Sequence, residues 1–351
     1  MRTMGKYSIG AALLSTLCAF ATTTSAASNT IYNAGKIDNP VLLASDEGYF
    51  QVDGTVDAQY LIVSGSCGGQ WTNANIFFTN GSTLNLSLNG GASNPAINWH
   101  PGNKATNTIS FLVKNEGDTA TVNFTANDAT VAPVYSDNNY ASKWVVGKGI
   151  TVNAANNFSI AGNSESTKVA AEINGNINVG NQFNNYDAII NINAGAKLSA
   201  KKLVANDKSR INVAGTLTLA NAGNDVGYSQ RIIQVNDGGK LEFNATSFTT
   251  TYYMIFDKGS SVVGTLDQLF LKRNGHLELN EGAKIDLSNT LLRIEESAAA
   301  DKSISVNKGG ELKIGALGFS SNANMTTKIT LWDNATLVIG SLESGDVNIG
   351  S

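Results

Sequence analysis

Asn280-Glu281-Gly282-Ala283-Lys284-Ile285-Asp286-Leu287 reads as a tight turn followed by a strand. Asn and Gly tolerate the left-handed backbone that such turns require. The Lys-Ile-Asp-Leu half alternates polar and apolar with period two, the mark of a strand with one buried face. The same phrase recurs along the chain. It begins as Asn80-Gly81-Ser82-Thr83-Leu84-Asn85-Leu86 and returns as Asn193-Ala194-Gly195-Ala196-Lys197-Leu198, with a shorter form at Val213-Ala214-Gly215-Thr216-Leu217-Thr218-Leu219. It appears again at Asn236–Phe243, Asp257–Val263, Asn307–Ile314 and Asp333–Ile339. Between glycines 149, 175, 195, 215, 238, 259, 282 and 309 the steps are 26, 20, 20, 23, 21, 23 and 27 residues. A period in the twenties indicates stacked supersecondary units.

Two all-β architectures yield such text. A β-sandwich turns every ~8–12 residues between antiparallel strands. A parallel β-helix repeats one corner once per coil of ~20–30 residues. The constant order of turn then strand, at one-coil spacing, favours a right-handed parallel β-helix over the sandwich. A second strand within the coil is visible at Lys202-Leu203-Val204 and Gln268-Leu269-Phe270-Leu271. Alternation assigns Leu241, Phe243, Leu277, Leu279, Leu312 and Ile314 to the core, and Lys240, Glu242, Glu278 and Lys313 to solvent. About 325 residues after a leader, at ~25 per coil, make about 13 coils. Helix signals are confined to residues 295–302, a run too short to stand alone. The four prolines, at 40, 95, 101 and 133, leave everything from 134 onward free of Pro, as strands paired on both sides require.

The organisation expected is a signal peptide over residues 1–26, a cap with irregular early coils over 27–145, and regular coils over 146–351. Arg2 and Lys6 precede the apolar Ile9–Phe20 segment, and Thr24-Ser25-Ala26 supplies small residues for cleavage after Ala26 or one residue later. That segment is shorter than a bilayer span, and no later stretch reaches membrane-crossing length. Leu17 stands where a lipobox before Cys18 needs a small residue. In 27–145 the turn glycines Gly81 and Gly117 are more than thirty residues apart, and Trp71, Trp99 and Trp144 lie in or at the edge of this part. A cap there would protect the first open edge of the stack.

Composition excludes several classes. The formal charge of −4 becomes −6 once Arg2 and Lys6 leave with the leader, so nucleic acid is not an expected partner. Charged residues are 15% and hydrophobic ones 42%, enough apolar material for a core and too much for a disordered chain. Cys67 is the one cysteine after cleavage, which rules out an intrachain disulfide. Two histidines and one cysteine make a transition-metal site improbable, and no Gly-Gly-x-Gly-x-Asp repeat for Ca²⁺ occurs. No cofactor is expected. Asn-x-Ser/Thr sequons, as at Asn80, Asn123 and Asn244, are frequent by chance in so Asn-rich a text.

A cleavable leader followed by nearly Cys-free repeats of the form N-x-G-[GA]-x-L-x-[ILV] resembles the passenger region of bacterial autotransporters and related surface adhesins. The likeness covers most of the chain after the leader, best from Val146 onward. The Phe-x-x-Asn segments at Phe77, Phe124 and Phe319 lack the GGA[ILV] partner of the polymorphic outer-membrane subgroup, and nothing after residue 280 resembles a translocator barrel. The resemblance implies an exported, non-catalytic structural or adhesive rod at the cell surface, outer-membrane associated, whose partner is a glycan or another surface protein. The alternative is a polysaccharide lyase or hydrolase built on the same helix. Its residues are hard to find: Asn274-Gly275-His276-Leu277 lacks the second glycine of a Gly-His-Gly, Arg231-Ile232-Ile233 lacks a lysine, and no two Asp are adjacent. Trp99 and His100, in Trp99-His100-Pro101-Gly102, are the candidate glycan contacts, pairing a sugar-stacking ring with a polar neighbour. The Leu337–Leu342 text is still core, and Gly345–Gly350 opens another turn, so more coils with an anchor, or end-to-end docking, are expected beyond it.

Overall fold

The computed structural model describes residues 30–343, less 33–34, 37–40, 44–48, 64–72, 89–95, 100–105, 134–140, 163–168, 207, 230, 296–301 and 320–326. The leader, Cys67 and most of the short helix-forming run lie outside those residues. Among the described residues every strand pairing is parallel, from Thr30–Tyr32 on Tyr49–Val52 to Glu311–Phe319 on Thr336–Leu342, which removes the sandwich. One coil shows the plan. Val169–Ile173, Asn176–Val179 and Gln182–Tyr186 are three short strands separated by two-residue corners, and Ile189–Ile192 then lies directly on the first of them. Among the described residues the first strands of successive coils form a 13-stranded sheet, and the second and third strands a 21-stranded sheet that wraps the corner between them. Thirteen rungs at the ~4.8 Å spacing of strands make a stack about 60 Å long.

Register fixes the coil lengths. Ile173, Ile192, Val213, Val235, Phe256, Leu279, Val306 and Leu331 are successive partners, so each of these coils takes 19 to 27 residues. Earlier, Ile76, Phe111 and Val146 are also successive partners, 35 residues apart, and the ladder crosses from Val146 to Ile173 without a break. From Lys240 the second and third strands fuse. Lys240–Thr250, Ser261–Leu271 and Lys284–Ile294 each run for 11 residues, bending where earlier coils turn a corner.

Because coils stack in register, the core consists of columns. Val56, Leu84, Val122, Val152, Ile177, Leu198, Leu217 and Leu241 lie one upon the next, all fully buried. Aromatic rings fill the wider coils: Phe78, Phe111 and Trp144 meet edge to face at 5.8 and 5.7 Å, and Phe158 stacks on Phe183. All six residues assigned inward by alternation are buried, and Lys240, Glu242, Glu278 and Lys313 are not. Glu278→Lys is therefore expected to shift the urea midpoint by no more than about 0.5 kcal/mol of stability.

The corner glycines answer to two different demands. Gly195 has φ +80 with open space where a Cβ would go, and in the last described coil Asn334 takes the same place at φ +58. Gly215 has no such φ, but a Cβ there would collide with the carbonyl oxygens of Ala196 and Asn193 in the coil beneath.

Candidate functional site

The outer surface is organised by the same registry as the core. On the 21-stranded sheet Asp57, Asn85, Asn123, Asn153, Asn178 and Ser199 form one column. Each of the later members donates to the carboxylate or amide oxygen of the one before, at 2.6, 2.8, 3.1, 3.0 and 3.0 Å. The column continues chemically where Thr218 Oγ1 donates to Glu242 at 2.7 Å. Parallel in-register strands hold identical side chains one spacing apart, and that is the distance an amide needs to reach its neighbour. Asn153→Ala would remove one bond given to Asn123 and one received from Asn178. At the usual net value of a partly exposed hydrogen bond, the expected loss is about 1 kcal/mol, read from the urea midpoint.

On the 13-stranded sheet a shallow depression is lined by Asn191, Arg210, Asn212 and Gln234 among others. Its groups already bond one another. Arg210 Nε donates to Asn212 at 2.8 Å and Nη2 to Gln234 at 2.6 Å, Asn212 donates to Asn191 at 2.7 Å, and Gln234 to Asp257 at 3.1 Å.

Further along this sheet sits an aromatic cluster. Tyr253 and His276, register partners, stack face to face with centroids 4.4 Å apart, and Tyr252 meets Tyr253 edge-on at 4.7 Å. The Arg231 guanidinium lies over the Tyr252 ring at 4.8 Å. Burial foremost, then the Tyr252 and Glu278 charges, raises the Tyr253 phenol above its ordinary pKa, which keeps it a neutral hydroxyl. His276 Nδ1 is 2.6 Å from Ser303 Oγ, a hydroxyl–imidazole pair of the kind hydrolases use. Here the backbone N–H groups of His276 and Ser303 bond the carbonyls of Tyr252 and Gly275, so they are not free to hold an oxyanion. One face of Tyr253 and of His276 is taken by the other ring, and one face of Tyr252 by Arg231.

A third feature lies on the corner column near the C-terminal end of the described stack. Asn280, Glu281, Asn307, Lys308, Trp332 and Asp333, the first two positions of three successive turns, line an open cavity of about 610 Å³. Trp332 is 59% exposed, the most exposed large apolar side chain among the described residues.

The residues singled out from sequence fare differently. Trp99 ends the strand Ile97–Trp99 of the 21-stranded sheet, paired with Val63 and Pro133. His100 lies outside the described residues. Trp144, grouped with them by sequence, is fully buried. The aromatic cluster and Trp332 escaped sequence reading. The available signals were Tyr252-Tyr253 at the head of a core strand and a Trp standing where the repeat calls for Asn.

Among the described residues no three of His, Cys, Asp or Glu gather closely enough to hold a metal ion, and no helix is long and apolar enough to cross a membrane. Together these observations define the class as a parallel β-solenoid with laddered polar faces. No protein-family model matches the chain, and comparison with curated proteins and with solved structures finds no match either.

Proposed function

We propose that the chain is an exported, non-catalytic rod that works at the cell surface, as the passenger region of an adhesin does, and that its partner is a glycan or another surface protein. The observation that supports this best is the unbroken column from Asp57 to Ser199, in which outward polar groups bond one another. Side chains so engaged stiffen a surface. A hydrolase instead sets an acid and a base around one reacting position, whereas this column follows its single carboxylate, Asp57, with four amides and a hydroxyl. Export rests on the leader, with Arg2 and Lys6 before an apolar run and small residues at Thr24–Ala26.

Two measurements test the reading. The chain recovered from outside the cell is expected to begin at Ala27 or Ser28 by mass spectrometry, and an intact leader on the exported form would contradict it. The purified chain, incubated with pectin, alginate and glycosaminoglycans, is expected to release no new reducing ends or unsaturated products. Turnover that disappears on His276→Ala or His100→Ala would establish the enzyme instead.

A further inference from the structure

Trp332 occupies a position that the repeat reserves for an amide or acid. Asn236, Asp257, Asn280 and Asn307 each open a corner by accepting a bond from the backbone N–H three residues on, and Trp332 does the same, taking the Ala335 N–H at 2.8 Å. Its own N–H bonds the Val306 carbonyl, as that of Asn307 bonds Leu279 and that of Asn280 bonds Phe256. In the earlier coils this position carries a side-chain ladder: Asn280 donates to Asp257 at 2.5 Å, and Asn307 faces Asn280 at 3.4 Å. At Trp332 an indole replaces the next rung. The backbone corner is unchanged and the ladder ends at this rung, in the last described coil, where Ile329, Leu331, Val338 and Leu342 are exposed as well.

We propose that this corner is a carbohydrate-binding site for a neutral, pyranose-based oligosaccharide. The inference rests on the glycan-partner reading above and deepens it by naming the place. A broad aromatic ring left in water has an apolar, electron-rich face that matches the C–H face of a pyranose. Around it stand the groups that recognise sugar hydroxyls. The carboxylates of Glu281 and Asp333 accept, and the carboxamides of Asn280 and Asn307 each keep a second N–H beyond the ladder bonds they give to Asp257 and Asn280. The cavity of about 610 Å³ falls within the usual range for small-ligand sites. Two carboxylates against the single cation Lys308 leave the rim net negative, which disfavours sulfated or uronic-acid chains. In the Tyr252–His276 cluster, by contrast, Tyr253 and His276 stack on one another and Arg231 lies over Tyr252, and the other exposed rings, Tyr186 and Tyr228, are less exposed than Trp332.

The test uses the full chain and three probes: cellohexaose and chitohexaose as neutral β-linked hexasaccharides, and a heparin-derived hexasaccharide as the anionic comparator. Titration calorimetry is expected to detect at least one neutral probe, with Kd of about 1 mM or tighter, and to favour it over the anionic one. Trp332→Ala should weaken that binding at least about tenfold, and Trp332→Tyr, which keeps a ring, should retain most of it. Asn307→Ala should weaken it by a smaller factor. Circular dichroism and sedimentation of each variant should match the parent. Neutral-sugar binding that Trp332→Ala leaves unchanged overturns this site while the broader glycan reading stands. No binding of either neutral probe overturns the site, and preference for the anionic probe does so too. A shift in sedimentation on Trp332→Ala would mark the corner as a contact between copies of the chain and overturn the proposal.

Discussion

Leu279→Asp is expected to destabilise the stack by about 4 kcal/mol, the range for an unpaired charge placed in a core. Leu279 is fully buried and lies between Phe256 in the coil below and Val306 in the coil above, both also fully buried. A carboxylate there would meet only apolar neighbours, and a carboxylic acid would still lack partners for its oxygens. Stability in a solenoid is a sum of coils and their interfaces, so the loss should be local. Hydrogen exchange would show it as lost protection in the strands His276–Leu279, Tyr253–Phe256 and Lys302–Val306, with Asn176–Val179 far less affected. Glu278, the adjacent residue, points the other way, which makes Glu278→Lys the control. Similar losses at the two positions would show the register to be wrong by one.

Gly215→Ala should be nearly as damaging, at about 3 kcal/mol, although a single methyl is added and the backbone angle is an ordinary one. The new Cβ would drive into the carbonyls of Ala196 and Asn193, which belong to the backbone of the preceding coil and cannot rotate away. Separating the coils to make room would stretch the ladder on either side, including Thr216 N–H to the Ala196 carbonyl at 2.9 Å. Gly195→Asn offers the contrast. Nothing lies within reach of a Cβ there, and Asn334 already adopts the left-handed conformation at the equivalent corner. Its cost should stay near 1 kcal/mol, the usual penalty for a side chain in that region. Thermal or urea unfolding of the two variants side by side separates them. Equal costs would mean that both glycines serve backbone freedom alone.

These two glycines also show how far the sequence could be read. Both marked the period correctly, because each stands at a corner once per coil. The letter does not distinguish a left-handed φ from a close approach, since that depends on what the coil beneath places under it. Alternation likewise identified the inward faces at Leu241–Phe243, Leu277–Leu279 and Leu312–Ile314, where one face is apolar and the other charged. It did not reveal that Lys240–Thr250 is one bent strand where earlier coils turn a corner, because a gentle bend keeps the alternation of its flanks. The site was less legible than the fold. Trp99 and His100 drew notice as neighbours in sequence with suitable chemistry, and His100 lies outside the described residues; the features that the structure adds join residues a coil apart, which no local reading of the sequence brings together. Tyr253 meets His276 across 23 positions, and Trp332 meets Asn307 and Asn280 only once the corners are stacked.

The central claim is the registry of parallel coils, and cysteine cross-linking tests it most directly. Register partners sit about 4.8 Å apart, inside the Cα separation a disulfide accepts, whereas positions two coils apart are nearly 10 Å away and outside it. In a chain carrying Cys67→Ser, the pair Asn153→Cys and Asn178→Cys joins register partners in adjacent coils. The pair Asn123→Cys and Asn178→Cys skips the coil between, since Asn123 partners Asn153. Mild oxidation is expected to close the first pair rapidly and intramolecularly and to leave the second as free thiols. Failure of the first pair to close, or closure of both at similar rates, would contradict the stacked register on which the fold, the ladders and the Trp332 corner depend.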